Sequence, residues 1–290
     1  MLYLIHQAGK MASQTLEATI RLSDPSAKIE RHHFLLPENL ADIDAICDAS
    51  GSAEHIEQQR YQTRVARAAL AALKGEDPDR VWVVTGVRDP LDHVISKFFQ
   101  NISEYYPSYT SPAAGEVYDP ARFDVQVDAT IDVFKRQVGS YFEIRRAAGG
   151  KSLPLATFWP VRYAWHLSEW FEREFKPLHD VDVCDIQIGT EPFVHVRAER
   201  RHFVLYRMET FRDALPSLLK QLPLPGAIHL SNQNVSAEKD YAVLYRRFRE
   251  RFEPTDEMVE YYYGGRFFDH FYGNTAPLYK KGRLVSEANR

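Results

Sequence analysis

The stretch that decides the fold is residues 1–22, which read MLYLIHQAGKMASQTLEATIRL. It contains a short apolar run at Leu2–His6, a glycine at position 9, and a helical pattern from Ser13 to Leu22. A short apolar run bounded by a glycine is typical of a buried strand, and the pattern that follows is typical of a helix. The sequence therefore predicts a strand, a turn and a helix at the start of the chain.

The alternation of strand and helix continues along the sequence. Further strands are predicted at Ala27–His33, Val81–Thr85, Phe193–Arg197 and His202–Met208. Helical patterns cover Pro37–Asp48, Glu54–Leu73, Phe123–Ala148, Pro160–Phe175, Glu209–Leu222, Ser236–Phe252 and Thr255–Phe271. This order favours an α/β fold with a central parallel sheet flanked by helices and a helical C-terminal part. In such sheets ligands bind beyond the carboxyl ends of the strands, so the loops after Ile5 and Thr85 are the candidate sites.

The composition is that of a globular protein, and we expect a single domain over residues 1–290. A net charge of −4 argues against a general nucleic-acid or membrane-surface binder. No apolar run approaches the roughly 20 residues that cross a bilayer. Cys47 and Cys184 are far apart and form no CxxC pair, which favours a reducing compartment. The N-terminus has no basic region of a signal peptide, so we expect either a cytoplasmic protein or one from which a leader has been removed; the oligomeric state is not indicated.

The segment after the first strand has the features of a phosphate-binding turn. Gly9 allows close approach of the backbone, Lys10 adds a positive charge, and Ser13, Gln14 and Thr15 lie at the start of the helix. The N–H groups and the dipole at a helix N-terminus attract anions. The segment is not the GxxxxGK[ST] loop of nucleotide triphosphatases, in which a hydroxyl directly after the lysine binds Mg²⁺. It therefore predicts a phosphate site without a magnesium ligand set.

A second candidate site follows the strand Val81–Thr85. Arg88 leaves the strand end, Asp89 and Pro90 are suited to the N-cap and first position of a helix, and Ser96 lies two turns into that helix. A forked, permanently charged guanidinium and a hydroxyl are suitable ligands for a terminal phosphate. The alternative interpretation is that Arg88 pairs with a neighbouring aspartate and that Ser96 has no role.

Together these two segments resemble the cofactor loops of the sulfotransferases that use 3′-phosphoadenosine 5′-phosphosulfate (PAPS). The further similarity to bacterial sulfotransferase-like proteins of capsular polysaccharide synthesis is weaker and runs through Trp170–Phe175, Asp180–Val183, Tyr206–Glu209 and Asn232–Tyr241. The resemblance implies a P-loop-like sulfotransferase fold, PAPS as donor, 3′-phosphoadenosine 5′-phosphate (PAP) as product, and no metal. It implies that Lys10, with Gly9 and Ser13–Thr15, binds the 5′-phosphosulfate, and that Arg88 and Ser96 bind the 3′-phosphate. The acceptor that it favours is a saccharide hydroxyl.

The catalytic base that the resemblance implies is a histidine just after the second strand. His33 precedes an apolar residue, as in many sulfotransferases, and His32 is the alternative. The ordinary pKa of histidine suits general-base catalysis. A carboxylate is also used in related enzymes, so Glu17 on the first helix stays open.

Two other functions stay open at this stage. One is a P-loop nucleotide-dependent kinase, which would require Mg²⁺ ligands that the sequence does not indicate. The other is a catalytically silent module that binds a glycan or protein. Ser103–Pro120, rich in tyrosine and proline, is predicted to be a loop over the acceptor. His166 and His179 are interpreted as structural residues.

Overall fold

The structure is a computed structural model that describes residues 1–49, 53–106, 120–149, 151, 153–231, 241–273, 279–280 and 283–284. The chain forms two compact units, each built from three segments. The sheet unit comprises Met1–Arg88, Leu153–Trp159 and Leu167–Asn234, and the helical unit comprises Asp89–Ser152, Pro160–His166 and Val235–Arg290. The prediction of a single domain over residues 1–290 stays a prediction.

The sheet unit contains a five-stranded sheet in the order β2-β1-β3-β5-β4. The strands are β1 (Leu2–His6), β2 (Lys28–His32), β3 (Val81–Val87), β4 (Phe193–Ala198) and β5 (Arg201–Arg207). β1 is parallel to β2 and β3, β3 is parallel to β5, and only β4 at the edge is antiparallel. The predicted α/β class and mostly parallel sheet are confirmed, while the sulfotransferase fold itself stays a prediction.

Helices make up most of the remaining described residues. They are α1 (Ser13–Ser23), α2 (Pro37–Ala49), α3 (Ala53–Gly75), α4 (Pro90–Gln100), α5 (Ile102–Tyr105), α6 (Pro120–Ala147), α7 (Leu155–Phe158), α8 (Leu167–Trp170), α9 (Lys176–His179), α10 (Phe211–Gln221), α11 (Ala242–Arg251), α12 (Asp256–Tyr263) and α13 (Arg266–Tyr272). Between α8 and α9 the backbone continues through a π turn at Phe171–Phe175. None of the described helices is long and apolar enough to cross a membrane.

One apolar core cluster of the sheet unit lies on the side of the sheet that carries Tyr3, Trp82 and Tyr206. α1 and α10 contribute Leu16, Ile20, Leu215, Leu218 and Leu219 to the same cluster. β3 is buried along its whole length, which explains its nearly continuous apolar sequence VWVVTGV. Because the central strands are fixed in this way, the positions of their carboxyl ends are fixed as well.

In the helical unit, α4, α6 and α11 pack through aromatic side chains. The Phe99 ring on α4 lies 5.1 Å from that of Phe248 on α11, edge to face. Phe134 on α6 meets Phe248 at 5.4 Å in the same geometry. These pairs contribute about 0.5–1.5 kcal/mol each beyond their buried area, and they fix the helix that carries Ser96.

The prediction of one helix over Pro160–Phe175 is wrong. Trp159–Ala164 is a 3₁₀ turn with a non-helical Val161, and the helix proper begins at Leu167. Side chains donate to two carbonyl oxygens here: the Tyr262 hydroxyl donates to Ala164 O at 2.7 Å, and Lys97 Nζ donates to Arg162 O at 3.1 Å. Arg162 O also accepts from Trp165 N at 3.3 Å, a 3₁₀ rather than an α-helical bond. Tertiary hydrogen bonds therefore override the local helical pattern.

The predicted helix Thr255–Phe271 is also divided. α12 ends at Tyr263 and α13 begins at Arg266, because Gly265 has a φ of 90° that a helix cannot contain. Most of the predicted loop Ser103–Pro120, and the Asn232–Lys239 part of the resemblance, lie outside the described residues.

Candidate functional site

The residues that follow the parallel strands contact one loop, Gln7–Ala12, here called the β1–α1 loop. His33, just after β2, lies with Nδ1 2.7 Å from Gln7 O. Arg88, just after β3, donates from Nη1 to Lys10 O at 3.1 Å. The structure thus brings Lys10, His33 and Arg88 to the same edge of the sheet, at the carboxyl ends of parallel strands.

The β1–α1 loop has a backbone that these residue types adopt rarely. Lys10 has a φ of 68° and Ala12 a φ of 55°, both in the left-handed region. Such conformations cost energy in non-glycine residues, and they persist where the surrounding structure enforces them, often at functional sites. The Met11 carbonyl between them accepts a hydrogen bond from Gln7 Nε2 at 2.7 Å. Together with the Arg88 bond to Lys10 O, this contact holds the loop in its strained form.

The N-terminus of α1 is suited to an anion. Its N-cap is Ala12, which has no side chain to accept a hydrogen bond from the first turn. The first N–H groups of a helix have no intrahelical acceptor, and the dipole makes this end positive. Ser13 is half-buried and Gln14 is exposed, and neither side chain has a hydrogen-bond partner among the described residues. Thr15 is buried, so its hydroxyl lies deeper than the other two side chains.

Tyr206, near the end of β5, contacts the β1–α1 loop through its hydroxyl. Its hydroxyl lies 2.8 Å from Gln7 Oε1 and also within hydrogen-bonding reach of Met11 O. Burial raises the pKa of Tyr206 far above its usual value, so the hydroxyl stays protonated and donates to one of these oxygens. Gly86 on the neighbouring strand makes room for the ring, because a Cβ there would lie 2.7 Å from Tyr206 Cζ.

His33 has the geometry of a general base. Because a carbonyl only accepts, Nδ1 carries the proton that it donates to Gln7 O, and Nε2 holds the lone pair. Nε2 has no partner among the described residues. Desolvation lowers the pKa of His33 to about 4, so the ring is neutral at pH 7. The residue is nevertheless exposed; both facts fit a ring surrounded by protein on most sides and open to solvent at one edge.

The other two candidate bases, His32 and Glu17, form ion pairs or hydrogen bonds with other side chains. His32 is buried, and its Nε2 lies 3.1 Å from Glu30 Oε2. Glu17 accepts from Arg31 Nε at 2.6 Å and lies 3.4 Å from Arg21. Each oxygen of the Glu17 carboxylate thus already has a guanidinium partner. The geometry therefore favours His33 over both alternatives.

Ser96 and Arg88 belong to different units. In the helical unit, α4 begins as predicted, with Pro90 in the first turn and the Asp89 side chain accepting from Asp92 N at 3.0 Å. Ser96 is buried on α4, and its hydroxyl has no hydrogen-bond partner among the described residues. The joint role of Arg88 and Ser96 at one phosphate stays a prediction.

No individual role was predicted from the sequence for Gln7, Gly86 or Tyr206. Each has a partial signal in the sequence, since all three are polar or small residues at the carboxyl end of a buried strand. Among the described residues, no group of three or more histidine, cysteine or carboxylate side chains is arranged to hold a metal ion.

Comparison with known proteins gives one match. Residues 158–273 match a family model described as "Putative capsular polysaccharide synthesis protein". No curated protein and no solved structure matches the chain at a significant level. The match includes Tyr206 but begins at residue 158, after Lys10, His33 and Arg88, so it bears on the polysaccharide context and does not cover the predicted donor site.

Proposed function

We propose that this protein is a sulfotransferase that moves a sulfuryl group from PAPS to a hydroxyl group of a saccharide. The observation that carries the proposal is the convergence on the β1–α1 loop. An uncapped helix N-terminus, a lysine and an arginine lie at the same strand ends as a neutral histidine with an open Nε2. Anion binding and proton acceptance are the two needs of sulfuryl transfer to a hydroxyl.

The donor would bind through its two phosphate groups. We assign the 5′-phosphosulfate to the N–H groups of the first turn of α1, with Lys10, Ser13 and Gln14 beside it. Arg88 and Ser96 are assigned to the 3′-phosphate, as the resemblance implies. Arg88 has a second effect within the sheet unit, because its bond to Lys10 O also orders the loop.

The transfer itself exchanges one S–O bond for another. The acceptor oxygen attacks sulfur in line with the bond to the bridging phosphate oxygen, and that bond breaks to release PAP. The acceptor proton passes to His33 Nε2, while Lys10 stabilises the negative charge that develops on the bridging oxygen. A pKa of about 4 makes His33 a weak base in the free protein. A bound anionic donor would stabilise the imidazolium form and raise this pKa.

The choice of a saccharide acceptor rests on the family match. The description of the matching model refers to capsular polysaccharide synthesis. Sulfation of a hydroxyl is one reaction by which such a polymer is modified. The sheet unit itself does not distinguish among saccharides.

A transfer assay tests the proposal. Purified protein is incubated with radiolabelled PAPS, a panel of polysaccharides and a chelator, and label in the polymer is counted. We expect transfer by the wild type, with Lys10→Ala reducing kcat by about 100-fold or more, the range for loss of one charge-stabilising group. Lys28→Ala is the matched control, because Lys28 lies at the start of β2 in a surface ion pair with Glu76. Phosphate transfer from ATP that requires Mg²⁺, without sulfate transfer, would instead identify a kinase.

A further inference from the structure

We propose that Trp170 and Glu174, one helical turn apart around the π turn, are positioning residues that hold His33 in its catalytic orientation. The inference rests on the proposed function of His33 as the base. Both residues contact the segment that carries His33, and neither was assigned a role by the sequence. π turns inside helices are frequently found at functional sites.

Trp170 contacts His33 directly. Its indole Nε1 donates to the main-chain oxygen of His33 at 2.8 Å. The indole is 3% exposed, and its ring packs edge-on against the His6 ring at 5.1 Å. A buried indole has a single N–H donor that needs an acceptor. The packed ring therefore holds that acceptor in a fixed position. Trp170 therefore fixes the backbone at the residue that carries the proposed base.

Glu174 holds the two residues that follow the same segment. It is fully buried, and its Oε1 accepts from Leu35 N at 2.6 Å and from Leu36 N at 3.0 Å. Asn39 Nδ2 donates to the other carboxylate oxygen at 2.5 Å. Leu36 and Asn39 lie at the N-terminus of α2, where the helix dipole also stabilises a negative charge. The carboxylate thus binds the two residues that precede α2 and locks the chain after His33.

Glu174 also stabilises the end of β1, next to Gln7, whose carbonyl is the hydrogen-bond partner of His33. His6 closes β1 and donates from Nε2 to Glu174 Oε1 at 3.2 Å. The His6 Nδ1 atom lies 3.0 Å from His179 Nε2, so one proton is shared between the two rings. The next residue after His6 is Gln7, whose carbonyl accepts the Nδ1 proton of His33. One carboxylate therefore orders both sides of the hydrogen bond that sets the His33 tautomer.

The competing interpretation is that Trp170 only fills space in the hydrophobic core and does not position His33. A matched control separates the two. Trp82 in the same unit is 6% exposed, and within the described part of the chain its indole Nε1 has no hydrogen-bond partner. Trp170→Phe and Trp82→Phe remove the same atoms from buried rings, but only the first removes a hydrogen bond to the His33 segment.

The experiment compares these two variants and Glu174→Gln with the wild type. It measures kcat and KM for PAPS, the affinity for PAP, and the pH titration of the His33 Hε1 proton by NMR, assigned with His33→Gln. We expect Trp170→Phe to lower kcat at least tenfold with PAP affinity within twofold of wild type. We also expect the pKa of His33 to rise by at least about half a unit, since a freed ring is better solvated. Glu174→Gln should act in the same direction.

The comparison of Trp170→Phe with Trp82→Phe decides whether Trp170 positions His33. If Trp170→Phe changes kcat and the His33 titration no more than Trp82→Phe does, Trp170 is core only and the inference is overturned. If the wild type transfers no sulfate at all, the proposed function fails, and the titration alone decides about positioning. A rise in the His33 pKa in Trp170→Phe but not in Trp82→Phe would then still support it, and no difference between them would overturn it.

Discussion

At the scale of single residues, a glycine on β3 decides whether Tyr206 can support the β1–α1 loop. A Cβ at position 86 would lie 2.7 Å from Tyr206 Cζ and 3.0 Å from its hydroxyl oxygen. The ring would have to shift, and its hydroxyl would lose Gln7 Oε1 and Met11 O. The strained loop would then lose one of the groups that hold it.

We therefore predict that Gly86→Ala destabilises the protein by about 1–3 kcal/mol, the usual cost of overpacking a core, and weakens PAP binding at least fivefold. Urea unfolding and calorimetry measure the two effects. Gly139→Ala on α6 is the control, because a Cβ there meets nothing within 4 Å, and alanine stabilises a helix interior by up to about 1 kcal/mol. A Gly86→Ala protein as stable as the wild type would show that Tyr206 is not confined by this contact.

The sequence predicted the strand-end histidine pair but could not rank its two members by geometry. The partners that separate them are Glu30 for His32 and Gln7 O for His33, and the second lies in the β1–α1 loop. A contact between distant segments leaves no local pattern in the sequence. The role of His33 thus came from resemblance, and its tautomer from the structure.

At the scale of elements, the continuous helix Leu167–His179 is held to α2 by charge. Glu174 accepts from Asn39, Leu35 and Leu36, and its neighbour Arg173 donates to Asp42 Oδ2 at 2.8 Å. Removing a buried acceptor leaves each donor desolvated without a partner, at about 1–3 kcal/mol per group. This contact therefore contributes strongly to the stability of the sheet unit.

We predict that Glu174→Ala lowers the free energy of unfolding by about 3 kcal/mol or more. Glu172→Ala in the same π turn is the matched control, because the Glu172 side chain is 58% exposed and forms a surface ion pair with Lys176. Exposed pairs contribute about 0–1 kcal/mol. Denaturant titration of both variants is the measurement, and equal destabilisation would contradict the assigned role.

The π turn itself could not be predicted from the sequence. Trp170, Phe171 and Phe175 give an ordinary helical pattern, and a local pattern does not show that one turn is widened. The one available signal is Glu174, a charged residue on an otherwise apolar face. A charge in such a position is costly unless it is paired. It therefore indicates a buried partner, but the sequence does not show which residue that partner is.

At the scale of the whole molecule, desolvated neutral histidines make stability depend on pH. The pKa of His33 is lowered to about 4 and that of His179 well below its usual value, both mainly by desolvation. Below the unfolded-state pKa of about 6.5, the unfolded chain binds more protons than the folded one. The free energy of unfolding should therefore fall as the pH drops from about 6.5 towards 4.

His33→Gln should lose less stability than the wild type between pH 7 and pH 4.5. His229→Gln, which replaces an exposed histidine, is the control. Guanidinium unfolding at the two pH values gives the comparison. An identical loss in wild type and His33→Gln would show that His33 titrates normally in the folded protein.

The sheet was predicted from the sequence because its central strands are short apolar runs separated by helical patterns. The division of the chain into a sheet unit and a helical unit was not predicted, because residues 153–159 and 167–234 belong to the sheet unit although they lie far from residues 1–88 in the sequence. Composition does not encode such long-range assembly. The strand ends could therefore be located in advance, and the contacts between them could not.

The most direct test of the central claim is calorimetric binding of PAP in the presence of a chelator, for wild type, Lys10→Ala and Arg88→Ala. The account predicts micromolar binding to the wild type, weakened at least tenfold in each variant, which is about 1.4 kcal/mol. No binding of PAP to the wild type, with binding of ATP only when Mg²⁺ is added, would contradict it.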